Sequence, residues 1–359
     1  MTTIDDLATL GTSTWLDDLS RERITSGNLA EVKKEKSIVG VTTNPAIFSS
    51  AMTKGNAYDE QIEELKVGGS SVDEAVYAMS IKDVQDACDL FLDVYESTGG
   101  KDGRVSIEVD PRISADHAAT IAQARELWEK VDRPNVMIKI PATDESLPAI
   151  ADALAEGISV NVTLIFSVDR YKQVIDAYKE GIQRAYDAGI DVSNIHSVAS
   201  FFVSRMDTEV DNRLDAIGTE EAKALKGKAG IANAQLAYQL FLKEFAAELP
   251  TGANKQRPLW ASTGVKNPEY PAAMYVTELA GPETVNTMPE NTINAAIADG
   301  GLHGDTLTHA GAEAQQVFDQ LEQVGIDLED VVKVLEREGV EKFVSSWQDL
   351  LDSMETRLK

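Results

Sequence analysis

The chain carries a single cysteine, Cys88, among 359 residues. An intrachain disulfide is therefore impossible, and so is a cysteine-rich zinc site. Cys88 falls within an apolar helical pattern and reads as core packing. Histidine is almost as scarce. His117, His196, His303 and His309 are the whole supply, and their spacing matches no familiar metal motif. We therefore expect no metal and no cofactor. Positive charge is also short: 33 Lys and Arg stand against 60 Asp and Glu, a formal net charge of −27. A phosphate backbone needs a basic footprint, so nucleic acid is excluded as a partner. Long apolar runs are missing, which argues against a membrane span. The opening "MTTIDDLATLGTSTWLDD" has neither the basic nor the apolar region of a signal peptide, so a cytoplasmic location is expected. Low-complexity tracts, obvious repeats and long linkers are absent too.

What remains is an alternation of short strand-like runs with amphipathic helical ones. Strands are predicted at 13–18, 37–44, 104–110, 135–141, 157–166, 197–204, 259–264 and 283–289. Between them lie helical patterns with start and stop signals. Ser114 is the predicted N-cap of "SADHAATIAQARELWEKV"; Ser167 and Gly189 bound "SVDRYKQVIDAYKEGIQRAYDAG". Strand then helix, repeated about eight times, argues for a parallel sheet, open or closed.

The strands themselves favour closure. Parallel strands with helices on both faces read as near-continuous apolar runs. Here polar and apolar residues alternate instead. Arg104, Ser106, Glu108 and Asp110 share one face of their strand; Val105, Ile107 and Val109 share the other. Ser159, Asn161 and Thr163 likewise oppose Val160, Val162 and Leu164. The apolar face suits helix packing, and the polar face suits the lumen of a barrel. We expect an α/β fold, a (β/α)8 TIM barrel formed by residues 1–359 as one domain. Additional helices from about residue 290 would form a C-terminal extension packed on it.

Lys139 sits in the middle of "NVMIKIP", a run otherwise apolar. Burial of an ammonium is costly, and it favours the uncharged amine. Parity places Lys139 in the lumen with Glu108, Asn161 and Thr163; Asp17 and Asn44 occupy comparable late positions in their strands. An amine and carboxylates without imidazole or thiol suit Schiff-base chemistry on a carbonyl substrate. Singly, each residue has a structural explanation: a lysine at a strand edge, an ion pair, a turn before Pro45. Their joint placement late on consecutive strands is what suggests a site.

The segments "WLDD" (15–18), "GVTTNPAIF" (40–48), "RVSIEVDPRIS" (104–114), "VMIKIPAT" (136–143), "GISVNVTLIFS" (157–167), "SVASFFVSRMD" (197–207) and "YVTELAGPETVNTMP" (275–289) resemble transaldolases, in order and spacing. The helical tail looks like that of the longer bacterial members. The resemblance implies transfer of a dihydroxyacetone unit between sugar phosphates in the non-oxidative pentose phosphate pathway. It implies that Lys139 forms the Schiff base, that Glu108 and Thr163 work through a water at the imine nitrogen, and that Asp17, rather than Asp18, handles the hydroxyl proton. Asn44, Asn161 and Ser200 match residues that hold hydroxyls of the transferred unit; Arg205 and Ser262 match phosphate ligands. The chain departs from the pattern at Gly264, where many members have a phosphate-binding arginine. Lys266 is the nearest cation and is expected to take that role. The related fructose-6-phosphate aldolases tend to carry glutamine at the position of Glu108 and tyrosine at that of Phe202, so both residues here favour transfer over simple cleavage. A non-catalytic sugar-phosphate-binding barrel would need a lost nucleophile or acid, and neither is lost. The oligomeric state, monomer or homodimer, is open at this point.

Overall fold

A computed structural model describes residues 1–359. Eight parallel strands close into a barrel in sequence order: β1 (Thr12–Leu16), β2 (Gly40–Val41), β3 (Arg104–Glu108), β4 (Val136–Pro141), β5 (Val160–Ile165), β6 (Ser197–Phe202), β7 (Arg257–Ala261) and β8 (Thr284–Met288). β1 pairs with β8 over five residues and seals the ring. Helices surround it. The apolar strand faces, such as Val105, Ile107, Val160 and Val162, join those helices in one large buried cluster. A second cluster fills the barrel interior with Trp15, Met137, Val198, Leu259 and Val285, one residue from each of five strands. The lumen is thus a packed core, as in other barrels of this kind.

Local chemistry explains most element ends, and it also explains several differences from the sequence expectation. The helix predicted to start at Ser114 starts at His117; Asp116 is its N-cap, accepting from the Ala119 N–H at 2.9 Å. Ser114 instead ends a short 3-10 turn, Pro111–Ile113. An aspartate two residues nearer the periodic run outcompetes the serine as acceptor. The 37–44 strand shrinks to a two-residue ladder because Ser37 adopts a left-handed φ of 53° and Asn44 caps the helix Pro45–Thr53. Leu164 was expected on the helix-facing side. It has a φ of 60° and lies at a register shift between β5 and β6, so it turns into the inner cluster. Ser167 caps its helix as predicted, accepting from the Arg170 N–H at 3.1 Å.

The N-terminal end of the lumen is plugged by a polar network. Asp102 accepts from Trp15 Nε1 at 2.9 Å, Ser13 Oγ at 2.8 Å and Arg257 Nη2 at 3.1 Å. Arg104 belongs to this end, donating to the Gly100 carbonyl at 2.8 Å and lying 5.0 Å from the Tyr95 ring centre. Asp110 lies past the end of β3 and pairs with Arg112. Of the four polar residues assigned to one row on this strand, only Ser106 and Glu108 therefore face the upper lumen.

Helix Glu290–Asp299 follows β8 as the last helix of the barrel, so the extension proper comes after Gly300. It contributes helices Gly311–Gln323 and Leu328–Leu358. The long last helix crosses the C-terminal side of the barrel. Gly339 permits the crossing: a Cβ there would lie 2.9 Å from the Phe166 ring. Phe343 packs on Phe202 with ring centres 6.5 Å apart, and Trp347 packs on Tyr77 at 5.1 Å. No helix is long and apolar enough to cross a membrane.

Trp15 is fully buried and lies against the backbone of Gly40, where a Cβ would come within 2.7 Å of three indole atoms. Its bond to Asp102 leaves the ring no room to retreat. Gly40→Ala is expected to cost ~1–3 kcal/mol of stability by overpacking. Urea titration should show a lower midpoint with an unchanged slope.

Candidate active site

Strand register assembles the centre of the site. Glu108 of β3 lies abreast of Lys139 of β4, which lies abreast of Asn161 of β5. All three side chains point into the upper lumen and are buried. Lys139 Nζ donates to the Thr43 carbonyl at 2.8 Å and stands 3.9 Å from Glu108 Oε2. Neither carboxylate oxygen of Glu108 has a hydrogen-bond partner in the protein, and neither does the hydroxyl of Thr163. An unpaired buried polar group costs about 1–3 kcal/mol. Three such oxygens in one lumen are consistent with polar groups kept for a ligand rather than for the fold.

Around this centre the remaining predicted residues divide by their partners. Asn161 is held on both sides: its Nδ2 donates to Ser106 Oγ at 3.1 Å, and its Oδ1 accepts from Ser200 Oγ at 2.7 Å. Asp17 follows β1 and accepts from Thr42 Oγ1 at 2.8 Å. Burial raises its pKa from the usual carboxylate value, against the attraction of the Lys139 ammonium. Asp18 turns away to pair with Arg23 at 2.7 Å, which separates the two neighbouring aspartates. Asn44 does shape the local turn: its Oδ1 accepts from the Ile47 N–H at 2.9 Å. That bond leaves its amide nitrogen free of partners within the protein.

Arg205, Ser262 and Lys266 line a separate cavity of about 320 Å³, next to the end of β6. Arg205 stands in the first turn of the helix Ser204–Ile217, its guanidinium 5.2 Å from the centre of the Phe202 ring. Nη1 of Arg205 is buried without a partner. Ser262 holds a left-handed φ of 55° and shares a 2.6 Å hydrogen bond with Ser204. A non-glycine residue in that region is strained, and such strain gathers at functional sites. A larger cavity of about 840 Å³ lies on the flank, between the last helix and four others, and no predicted site residue lines it.

Sequence reasoning missed several participants. Thr43 acts through its backbone carbonyl, which carries no residue-type signal. Ser204 hides behind the more visible arginine beside it. Glu338 and Lys342 line the same cavity as Arg205 from the last helix. At the sequence level they resemble any exposed pair four residues apart. The histidines make no common site: His117 sits by Asp152 and His303 by Glu278, while burial and the charge of Arg104 lower the pKa of His196 to about 3.

Burial raises the Glu108 pKa to about 7, against the opposing pull of Lys139. The unfolded carboxyl titrates near 4.3, so between ~pH 4.5 and 7 the folded protein keeps a proton that the unfolded chain has lost. The stability contributed by Glu108 is therefore fully present below that window and falls as pH rises through it, by up to about 3 kcal/mol. Glu108→Gln should remove this slope. Unfolding free energies measured by urea from pH 4.5 to 7.5 are expected to fall less steeply in the variant than in the wild type.

The family described as transaldolase/fructose-6-phosphate aldolase matches residues 14–354. The chain is 57% identical over 357 residues to a transaldolase of Mycolicibacterium smegmatis, covering 98% of this chain and 96% of that one. It is 56% identical over 361 residues to transaldolase 1 of Streptomyces avermitilis, covering 99% and 96%. Transaldolase 2 of Streptomyces coelicolor is 55% identical over 354 residues, with 97% and 95% covered. With the barrel, the lumenal lysine and this match over nearly its whole length, the chain belongs to the transaldolase/fructose-6-phosphate aldolase family.

Proposed function

We propose that the chain acts as a transaldolase that moves a dihydroxyacetone unit between sugar phosphates through a Schiff base on Lys139. The donors would be sedoheptulose 7-phosphate or fructose 6-phosphate, and the acceptors glyceraldehyde 3-phosphate or erythrose 4-phosphate. The observation that carries this reading is the register of Glu108, Lys139 and Asn161, with the amine 3.9 Å from a carboxylate that has no other partner.

The amine of Lys139 attacks the ketose C2 carbonyl to give a carbinolamine. Glu108, aided by Thr163 through a water, supplies the proton with which hydroxide leaves as water, and an iminium forms. Its pKa near 7 suits a carboxyl that must both give and take a proton at neutral pH. Asp17 takes the proton of the C4 hydroxyl as the C3–C4 bond breaks, and the bonding electrons pass to the iminium nitrogen. The first aldose phosphate leaves. The enamine then attacks the aldehyde of the second aldose, Asp17 returns the proton to the new alkoxide, and hydrolysis frees the product and Lys139. Asn161, oriented by Ser106 and Ser200, and Asn44 would hold the hydroxyls of the bound unit.

Arg205, Ser262 and Lys266 would hold the phosphate. A Cβ built on Gly264 would lie 3.7 Å from the Lys266 ammonium. The lysine thus folds back over the position from which an arginine at 264 would project. As a point charge it can replace the ionic part of such a contact, though not a bidentate one.

Transfer rather than cleavage requires the enamine to be shielded from water protons. The last helix covers the mouth through Phe343 and Trp347. Phe202, where the lyases tend to carry tyrosine, is buried between Phe166, Phe343 and Arg205. No hydroxyl is available there to protonate the intermediate.

Incubation with fructose 6-phosphate followed by borohydride, digestion and mass spectrometry tests the central claim. A reduced dihydroxyacetone adduct on Lys139 is expected, and none on Lys139→Met. Folded protein that binds the sugar yet forms no adduct would remove Schiff-base chemistry. Free dihydroxyacetone released without an acceptor, at a rate matching transfer, would favour the lyase.

A further inference from the structure

The cavity that holds Arg205 and Lys266 is not built by the barrel alone. Leu335, Glu338 and Lys342 of the last helix form one of its walls. Their spacing of three, four and seven residues puts them on one face of that helix. The helix is fixed at this height by Gly339 against Phe166 and by Phe343 against Phe202. The wall is therefore a set feature of the packing, although Lys342 is exposed and Glu338 half-buried.

The charges in the cavity have a definite arrangement. Three cations line it, Arg205, Lys266 and Lys342, against two carboxylates, Glu209 and Glu338. Glu209 is already paired with Arg213 at 3.0 Å. Glu338 lines the cavity with Arg205 but lies beyond ion-pair distance of it, and stands 3.9 Å from Lys342, a loose contact at the outer limit of an ion pair. Arg205 Nη1, buried and unpartnered, completes the picture: the cavity has more positive capacity than its own carboxylates use.

We propose that the last helix completes the phosphate subsite, with Lys342 as its third cation and Glu338 as the internal carboxylate that the substrate phosphate displaces. This rests on the reading of the cavity as the phosphate site. A dianion entering between Arg205 and Lys266 meets Lys342 from the opposite wall. Glu338 repels it, and between turnovers shares Arg205 and Lys342. The pair thus sets how tightly phosphate is held against how readily it leaves. It is a specificity-determining device supplied by the extension rather than by the barrel strands.

The proposal predicts opposite signs for two substitutions on one helix face. For Lys342→Gln, we expect the KM for glyceraldehyde 3-phosphate and the Ki of inorganic phosphate to rise roughly two- to fivefold, the scale of one partly screened ion pair. For Glu338→Gln, both should fall by about twofold or more. KM for unphosphorylated glyceraldehyde should shift less than either. Lys266→Ala serves as the reference for the cavity itself. If Lys266→Ala weakens phosphate while both helix variants leave Ki unchanged, the cavity binds phosphate without the helix and the proposal fails alone. If both helix variants move Ki in the same direction, displacement of the helix rather than charge is responsible, and the proposal again fails. If Lys266→Ala has no effect on Ki, the phosphate reading of the cavity falls and takes the proposal with it.

Discussion

Closing eight parallel strands into a ring forces one row of side chains from each strand into a space that no helix can reach. The chain fills that space in layers. At the N-terminal end Asp102 ties Trp15, Ser13 and Arg257 together in a hydrogen-bonded plug. Apolar residues follow, among them Met137, Val198 and Leu259. In the upper layer the carboxylate of Glu108 and the hydroxyl of Thr163 are left without partners. The lower layers are what make this tolerable, because they fix the backbone on which Glu108, Lys139 and Asn161 stand abreast.

Electrostatics in that upper layer depart from the rest of the molecule. The chain as a whole has a formal charge of −27, yet its two candidate binding regions are organised around cations. Lys139 is buried with one carboxylate within ion-pair distance, and burial raises that carboxyl to a pKa of about 7. A carboxyl poised near neutral pH can both give and take a proton, which is the property a reversible imine needs. Surface acidity has no part in this. Charges beyond the Debye length of ~8 Å are largely screened, so the neighbours of each group decide its behaviour.

The alternation of polar and apolar residues in "RVSIEVD" and "ISVNVTL" made the lumen legible, because a period of two admits only one inward set. It could not show how far along the barrel each member lies. Arg104 and Glu108 share a parity but serve opposite ends, one in the plug and one in the site. Parity also fails wherever the backbone leaves the strand. Leu164 turns inward at a left-handed φ of 60°, for which its sequence offers no warning such as glycine. Cap identity suffers from competition between neighbours, as Ser114 and Asp116 show. The cavity beside Arg205 was half legible. Arg205 and Ser262 came from resemblance, while Lys342 and Glu338 came from a helix whose approach to the barrel is decided by tertiary packing alone.

That last helix joins two requirements that a barrel mouth otherwise meets with separate loops. Its apolar residues, Phe343 and Trp347, cover the lumen against Phe202 and Tyr77, and its charged residues, Glu338 and Lys342, reach the cavity beside Arg205. Phe343 lies next to Lys342 in sequence, so the cover over the lumen and the wall of the cavity are set by the same turn of helix. Gly339 fixes the height of that turn, since nothing larger fits against Phe166 without a shift. A movement that lifted the cover would withdraw Lys342 from the cavity as well. On the proposed function, phosphate held by both walls would in turn hold the cover down, so the part of the substrate remote from the reaction would stabilise the closed state that an enamine needs to survive.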